Sequence, residues 1–144
     1  MAFKVKESKH SVTVHAKIKE QKYLTQITAG KKELIGDEPI SMGGQDLGFN
    51  PFELLASSLS MCTAATLRAY TDRKGIKTGE INVQVKFSNN TFDKIATFKK
   101  VISFENTNLE EEVLTKLLQK AEACPVNRLL TNTIVVETKM KGVS

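Results

Sequence analysis

The sequence predicts an α+β fold in which antiparallel sheets, formed by an N-terminal and a central hairpin, pack on a long central helix and a second helix. Short runs of alternating apolar and polar residues come in pairs joined by polar turns, as in antiparallel hairpins. Two longer stretches carry helical periodicity and helix-start signals. The predicted order β-β-β-α-β-β-α-α-β separates hairpins from helices, as in α+β proteins. No linker or repeat interrupts the chain, so we expect one domain over residues 1–144.

Six short runs predict the strands. The first, SVTVHAKIK, alternates as a half-buried strand does, and the polar EQK after it marks a turn into the second. The sequence NNTFDK marks the corresponding turn of the central hairpin. The six runs cover residues 11–19, 23–29, 33–36, 81–88, 95–105 and 133–140.

The first helix has several start signals. Asn50 is a favoured N-cap, Pro51 suits the first helical position, and Glu53 stands where it completes a capping box. The helix is expected to run to Gly75. Its middle, ASSLSMCTAA, is rich in small residues that allow another backbone to come close, so we expect this helix to be the buried centre of the fold.

The second helix is predicted to begin at Asn108, its cap, and to end at Cys124. Three glutamates stand in its first turn, where the helix dipole favours anions. Pro125 then ends this helix and opens a short third one with the sequence PVNRLLT.

The composition is that of a globular protein, and it disfavours disordered, nucleic-acid-binding, secreted and membrane proteins. At 40% hydrophobic and 26% charged residues, the chain is far from the composition of disordered proteins. The net charge of +5 comes from scattered lysines, and only three of the 21 basic residues are arginines, so nucleic-acid binding is not expected. The charged start lacks the apolar core of a signal peptide, and no stretch suits a membrane span; we expect a cytoplasmic protein.

Metal and cofactor binding are not expected. The sequence has no CxxC and no HExxH motif. His10 and His15 are five residues apart in a strand-like stretch, which places them on opposite faces.

The two cysteines, Cys62 and Cys124, are either packed thiols or a redox pair, because a chain without a signal peptide disfavours structural disulfides. Cys124 is predicted as the N-cap of the third helix, where free N–H groups and the helix dipole favour a thiolate, and Arg128 adds positive charge. The same position equally suits a small residue at a helix junction. Cys62 lies in the middle of a helix, a position that, taken alone, is typical of a core residue.

Three stretches of the chain resemble the OsmC/Ohr family of thiol-dependent organic hydroperoxide reductases. They are NPFELLASSLSMCTAATLRAY, the upstream DEPISMGGQDLGFNP and the downstream EACPVNRLL. The most specific features are a Pro-x-Glu-Leu-Leu helix start with Cys62 nine residues after Glu53, and Cys-Pro-Val after the second helix. The resemblance covers nearly the whole chain. It implies the family's OsmC-like fold, an intertwined homodimer whose long central helices pack together.

The resemblance also implies roles for the cysteines and for partners. Cys62 would attack the peroxide, and Cys124 would resolve the sulfenic acid as an intramolecular disulfide. The implied substrate is an organic hydroperoxide, and the implied reductant is a dithiol of lipoyl type or a small thiol. The implied site lies at the subunit interface and serves defence against oxidative or osmotic stress.

The chain departs from the family at the residues that activate the first cysteine. The family uses an arginine from the N-terminal strands and a glutamate ten residues before that cysteine; here those strands have no arginine, and Phe52 occupies the second position. Glu53 is about 180° around a regular helix from Cys62 and roughly 13 Å along its axis. Glu53 is therefore a cap or, if another subunit brings it close, a catalytic partner. Lys31 or Lys32 is the candidate replacement for the arginine.

Three functions compete at this point. The first is a cysteine-based peroxidase with Cys62, Cys124 and, as a further candidate, Glu53 in its site. The second is a binding module of the same fold that holds an apolar or thiol-containing ligand and has little peroxidase activity. Phe52, where an acid is expected, favours this second function. In the third, both cysteines are packing residues of an interaction protein.

Overall fold

A computed structural model of the chain describes residues 11–142. Two compact units make up the chain, with the division between Leu54 and Leu55. Each unit contains one antiparallel sheet, and the long helix crosses the boundary. The predicted α+β class with antiparallel sheets is confirmed. The single domain over residues 1–144 stays a prediction.

The first unit holds a three-stranded antiparallel sheet in the order β1-β2-β3. The strands are β1 His15–Ile18, β2 Thr25–Ala29 and β3 Lys32–Gly36. Ala16 and Leu34 both lie opposite Ile27 of the central strand, so these apolar residues share one face. The three predicted strands are confirmed, and the first is shorter than expected. His15 is exposed in β1, whereas His10 lies outside the described residues.

A buried carboxylate organises the glycine-rich loop after β3. Asp37 is 4% exposed, and its two oxygens accept hydrogen bonds of 2.8 to 3.3 Å from four backbone N–H groups. The donors belong to Tyr23, Glu38, Gln45 and Leu47. Burial raises the pKa of this carboxyl group, but the four backbone hydrogen bonds outweigh burial and hold the pKa below its ordinary value of 3.8. The ionised side chain therefore fixes the loop that contains the 3₁₀ turn Ile40–Met42.

Asp37→Asn is expected to lower the melting temperature by several degrees at neutral pH. A neutral amide oxygen accepts hydrogen bonds more weakly than a carboxylate, and the amide NH₂ group, itself a donor, cannot accept from the backbone N–H groups. The folded pKa of Asp37 lies below the unfolded one. The stabilisation is therefore present above the ordinary value of 3.8 and is lost as the pH falls through the folded pKa. Thermal unfolding from neutral to acidic pH measures this. The difference in melting temperature between Asp37→Asn and the wild type should shrink in acid. Glu20→Gln, which changes an exposed carboxylate, is the control. An equal loss of melting temperature in Glu20→Gln would contradict the role of Asp37.

The long helix α1 spans Pro51–Lys74 and starts as predicted. The Glu53 N–H donates to the side-chain oxygen of Asn50, and the Asn50 N–H donates to the Glu53 carboxylate, both at 2.9 Å. This reciprocal pair is a capping box, which satisfies N–H groups at the helix start. At the other end, Gly75 has φ +67°, the left-handed conformation that commonly follows a helix. Neither α1 nor any other helix within residues 11–142 is long and apolar enough to cross a membrane.

The second unit combines a long hairpin with helices. Its elements after α1 are β4 Ile81–Asn90, β5 Ile95–Phe104, α2 Glu111–Glu122 and α3 Pro125–Leu130. β4 and β5 pair antiparallel, which confirms the central hairpin. Leu67 and Tyr70 of α1 form a buried core with Leu117 and Ala121 of α2, and Ile102 of β5 packs against it. The hairpin and the two helices therefore share one apolar interior.

Three predictions for the second unit are wrong. The N-cap of α2 is Glu110 and not Asn108. Asn108 lies in a turn before the helix, where its backbone N–H donates to the side-chain oxygen of Asn106 at 2.9 Å. α2 also ends at Glu122, because Cys124 is already the N-cap of α3. Residues 133–140 form no strand, because no described segment pairs with them.

Candidate active site

Cys124 lies at the N-cap of α3, as predicted. Its side chain is fully buried, and the Asn127 N–H donates a hydrogen bond to its sulfur at 3.4 Å. Pro125 occupies the first helical position, where its missing N–H leaves no donor unsatisfied. The junction of α2 and α3 thus places the thiol against a free amide of the new helix.

A chain of hydrogen bonds connects the buried Cys124 to a half-buried lysine. The Thr63 hydroxyl of α1 lies 3.4 Å from the Cys124 sulfur. The Lys100 ammonium of β5 donates to the Thr63 oxygen at 3.1 Å and to the Ala121 carbonyl at 2.8 Å. Because Lys100 only donates, the proton of Thr63 remains available to a Cys124 thiolate, which only accepts. This arrangement favours the ionised form of the thiol.

Cys62 lies one residue before Thr63 and is half-buried. Its side chain is among the groups that lower the pKa of the Cys124 thiol, so the fold places the two cysteines close together. The two thiols differ in exposure, since Cys124 is inaccessible whereas Cys62 retains contact with solvent. An oxidant from solution therefore meets Cys62 first.

The pKa of Cys124 is held below the ordinary thiol value. Burial is the largest single influence, and it raises the pKa. It is outweighed by hydrogen bonds from Thr63, the Asn127 N–H and Cys62, together with the positive charge of Lys100. The surroundings of Cys124 thus stabilise a thiolate.

The remaining candidates lie in the first unit. Glu53 has the capping role described for α1, which is one of the two roles that its sequence position allowed. Lys31 and Lys32 lie at the turn between β2 and β3. Within the second unit, the lysine whose charge acts on a cysteine is Lys100, and the role of Lys31 or Lys32 stays a prediction. No group of three or more His, Cys, Asp or Glu side chains within residues 11–142 is placed to hold a metal ion.

Sequence reasoning missed Lys100 and Thr63, although β5 carries a signal. Phe98, Ile102 and Phe104 alternate along the half-buried face of that strand, and Lys100 interrupts this apolar series. A lysine on the inward face of a strand needs a polar partner, because burial of an unpaired charge is costly. The partner, Thr63, comes from a different element, and no local pattern identifies it.

The chain belongs to the OsmC-like family: the model of this family, described as OsmC-like protein, matches residues 43–139, more than half of the sequence. The chain is also 25% identical to the uncharacterized protein YmaD of Bacillus subtilis (strain 168), over 69% of this chain and 71% of that protein. The predicted family is therefore confirmed.

Two solved structures show that the fold is shared. One is described as an osmotic stress induced and detoxification response protein from Psychrobacter arcticus 273-4, with a TM-score of 0.71 at 19% identity, over 85% of this chain and 89% of that one. The other is the organic hydroperoxide resistance protein OhrB of Bacillus subtilis, with a TM-score of 0.58 at 21% identity, over 86% and 93% of the two chains. The predicted OsmC-like fold is confirmed.

Proposed function

We propose that the protein is a thiol-dependent peroxidase that reduces organic hydroperoxides, with Cys62 attacking and Cys124 resolving. The observation that carries this proposal is the hydrogen-bonded chain from Lys100 through Thr63 to the buried Cys124 sulfur, with Cys62 near enough to lower the pKa of that thiol. Membership of the OsmC-like family and the fold shared with an organic hydroperoxide resistance protein support it.

The proposed reaction has two thiol steps. The Cys62 thiolate attacks one oxygen of ROOH; an S–O bond forms, the O–O bond breaks, and the leaving alkoxide takes a proton to become ROH. Cys62 is then a sulfenic acid. The Cys124 thiolate attacks the Cys62 sulfur, the disulfide forms, and the hydroxide leaves with a proton as water. An external dithiol, of lipoyl type or a small thiol, reduces the disulfide and is itself oxidised to a disulfide.

Lys100 and Thr63 fit this sequence as positioning residues. They act on Cys124, whereas the family order assigns the first attack to the other cysteine. Both assignments agree if Cys124 works in two ways. As a thiolate it can take the proton of the neighbouring Cys62 thiol, which leaves Cys62 as the nucleophile, and it then passes that proton to the leaving alkoxide. Later, again ionised, it attacks the sulfenic acid. Thr63 and Lys100 thus replace the family's missing arginine by an indirect route.

Homodimer formation belongs to the same proposal. Twenty-three large apolar side chains are exposed in residues 11–142, while only six apolar residues are buried. Met61, beside Cys62, is 76% exposed, and Val136 is 84% exposed. Exposed apolar surface on this scale is typical of a chain that buries it against a partner. Sedimentation equilibrium of the reduced protein tests the dimer.

A cytoplasmic location belongs to the same proposal, since it would supply the reducing thiols.

One equivalent of cumene hydroperoxide is expected to remove both thiols of the reduced protein and to yield one equivalent of alcohol. Thiol titration before and after oxidation measures the loss, and peptide mass spectrometry identifies a disulfide between Cys62 and Cys124. A protein that keeps both free thiols after stoichiometric peroxide would exclude the proposed peroxidase.

A ligand-binding function without peroxidase activity is the second candidate, and a cavity favours it. A cavity of about 350 Å³ in the first unit is lined mainly by apolar side chains, including Ile18, Ile27 and Phe49. A site of this size and lining suits a small apolar ligand. Equal background rates with cumene hydroperoxide and hydrogen peroxide, together with stabilisation by an apolar ligand, would favour this function.

A further inference from the structure

Two helices of the second unit line one cavity with positively charged side chains. The cavity has a volume of about 300 Å³ and is called the basic cavity below. Each helix presents residues at the spacing i, i+3, i+4, which places three side chains on one helix face. The lining residues are Tyr70, Arg73 and Lys74 from α1, Lys116, Gln119 and Lys120 from α2, and Ala123 just after α2.

Within residues 11–142, no anionic group lines the basic cavity. Four of its lining side chains are cations, and none is a carboxylate. On α1 the neighbouring acid, Asp72, forms an ion pair with Arg68 at 3.8 Å. Both helices end here, and each C-terminus carries about −0.5 elementary charge, so the two ends together offset about one of the four positive charges. The helix ends therefore leave about three of the positive charges without a compensating negative charge.

Tyr70 positions two of these cations. Its side chain is almost buried, and the Arg73 guanidinium and the Lys120 ammonium lie 5.7 and 5.1 Å from the centre of its ring. Such cation–π contacts hold the two charges over the ring. Since cations already lie over the ring, we expect a ligand to be recognised by charge and not by stacking on Tyr70.

We propose that the basic cavity binds a chain of two or more phosphate groups. Two phosphates carry about three negative charges at neutral pH, which matches the positive surplus. Lysine and arginine are the side chains with which proteins hold phosphate oxygens. The chemistry is shared by inorganic polyphosphates and by the phosphate end of nucleotides. This site is separate from the cysteine pair and does not depend on the proposed peroxidase.

Calorimetric titration of the reduced, full-length protein with pyrophosphate, triphosphate and ADP at constant ionic strength tests the proposal. We expect saturable binding of one equivalent per chain, and binding of sulfate that is weaker by about tenfold or more. The double variant Lys116→Gln/Lys120→Gln should weaken pyrophosphate binding by about tenfold or more, because it removes half of the cations. ADP that binds more tightly than pyrophosphate identifies a nucleotide ligand, and ADP that binds more weakly identifies an inorganic one.

The matched control is Lys86→Gln/Lys99→Gln, which removes two charges from exposed lysines that lie opposite each other in the β4–β5 hairpin. It should change the affinity by less than about twofold. The melting temperature without ligand verifies that each variant folds. If the double variant does not fold, the single variant Lys116→Gln, at an exposed residue, replaces it in the titration. Absence of saturable binding, equal weakening by the control pair, or sulfate binding as tight as pyrophosphate binding would overturn the proposal.

Discussion

Cys62→Ser is expected to abolish the consumption of organic hydroperoxide, a loss on the order of a thousandfold or more. A serine hydroxyl stays protonated at neutral pH and does not attack a peroxide, whereas a thiolate does. Cys124 does not take over, because its side chain is fully buried. The rate of cumene hydroperoxide loss with a dithiol as reductant measures the effect.

Cys124→Ser should separate the two thiol steps. Attack by Cys62 still consumes up to one equivalent of peroxide per chain, but more slowly, because Cys124 no longer takes the proton of Cys62. Turnover then stalls, because no second thiol is present to form the disulfide. Rapid-mixing kinetics should show a single burst, and a sulfenic-acid reagent should label Cys62 in this variant. Full steady-state activity in Cys62→Ser, or unchanged turnover in Cys124→Ser, would contradict the assigned roles.

Local signals predicted the parts of the site that depend on near neighbours in the chain. The capping box of Asn50 and Glu53 involves residues three apart, and the N-cap position of Cys124 follows from Pro125. Such features are set by backbone N–H groups within one helical turn. Sequence could therefore place each cysteine on its element, and the family resemblance suggested that the two belong together.

The polar partners of the cysteines could not be predicted, because three distant elements bring them together. Lys100 of β5 reaches Thr63 of α1 and the carbonyl of Ala121 of α2. The failed strand at 133–140 has a related cause, since alternation indicates that a segment can form a strand but does not supply its neighbour. The polar partners of the cysteines and the pairing of a strand both depend on contacts between residues that are far apart in the sequence, so a short stretch of sequence cannot predict them.

Lys100→Met is expected to raise the pKa of Cys124 and to leave severalfold less thiolate at neutral pH. The ammonium contributes its positive charge directly, and its hydrogen bond orients the Thr63 hydroxyl towards the sulfur. Methionine retains an unbranched side chain that can pack on the apolar face of β5. A pH titration of thiolate ultraviolet absorbance in a Cys62→Ser background isolates Cys124. Subtraction of the Cys62→Ser/Cys124→Ser signal removes the tyrosine contribution.

Two further substitutions distinguish this role from simple packing. Thr63→Val keeps the shape of the side chain but removes the hydroxyl, so it should shift the titration midpoint in the same direction as Lys100→Met. Thr63→Ser retains the hydroxyl and should stay close to the wild-type protein. Lys99→Met removes an equal charge from the neighbouring exposed residue and serves as the matched control. If Lys100→Met and Thr63→Val titrate like Lys99→Met, the lysine and the threonine only fill space, and the ionisation of Cys124 depends on its helix amide alone.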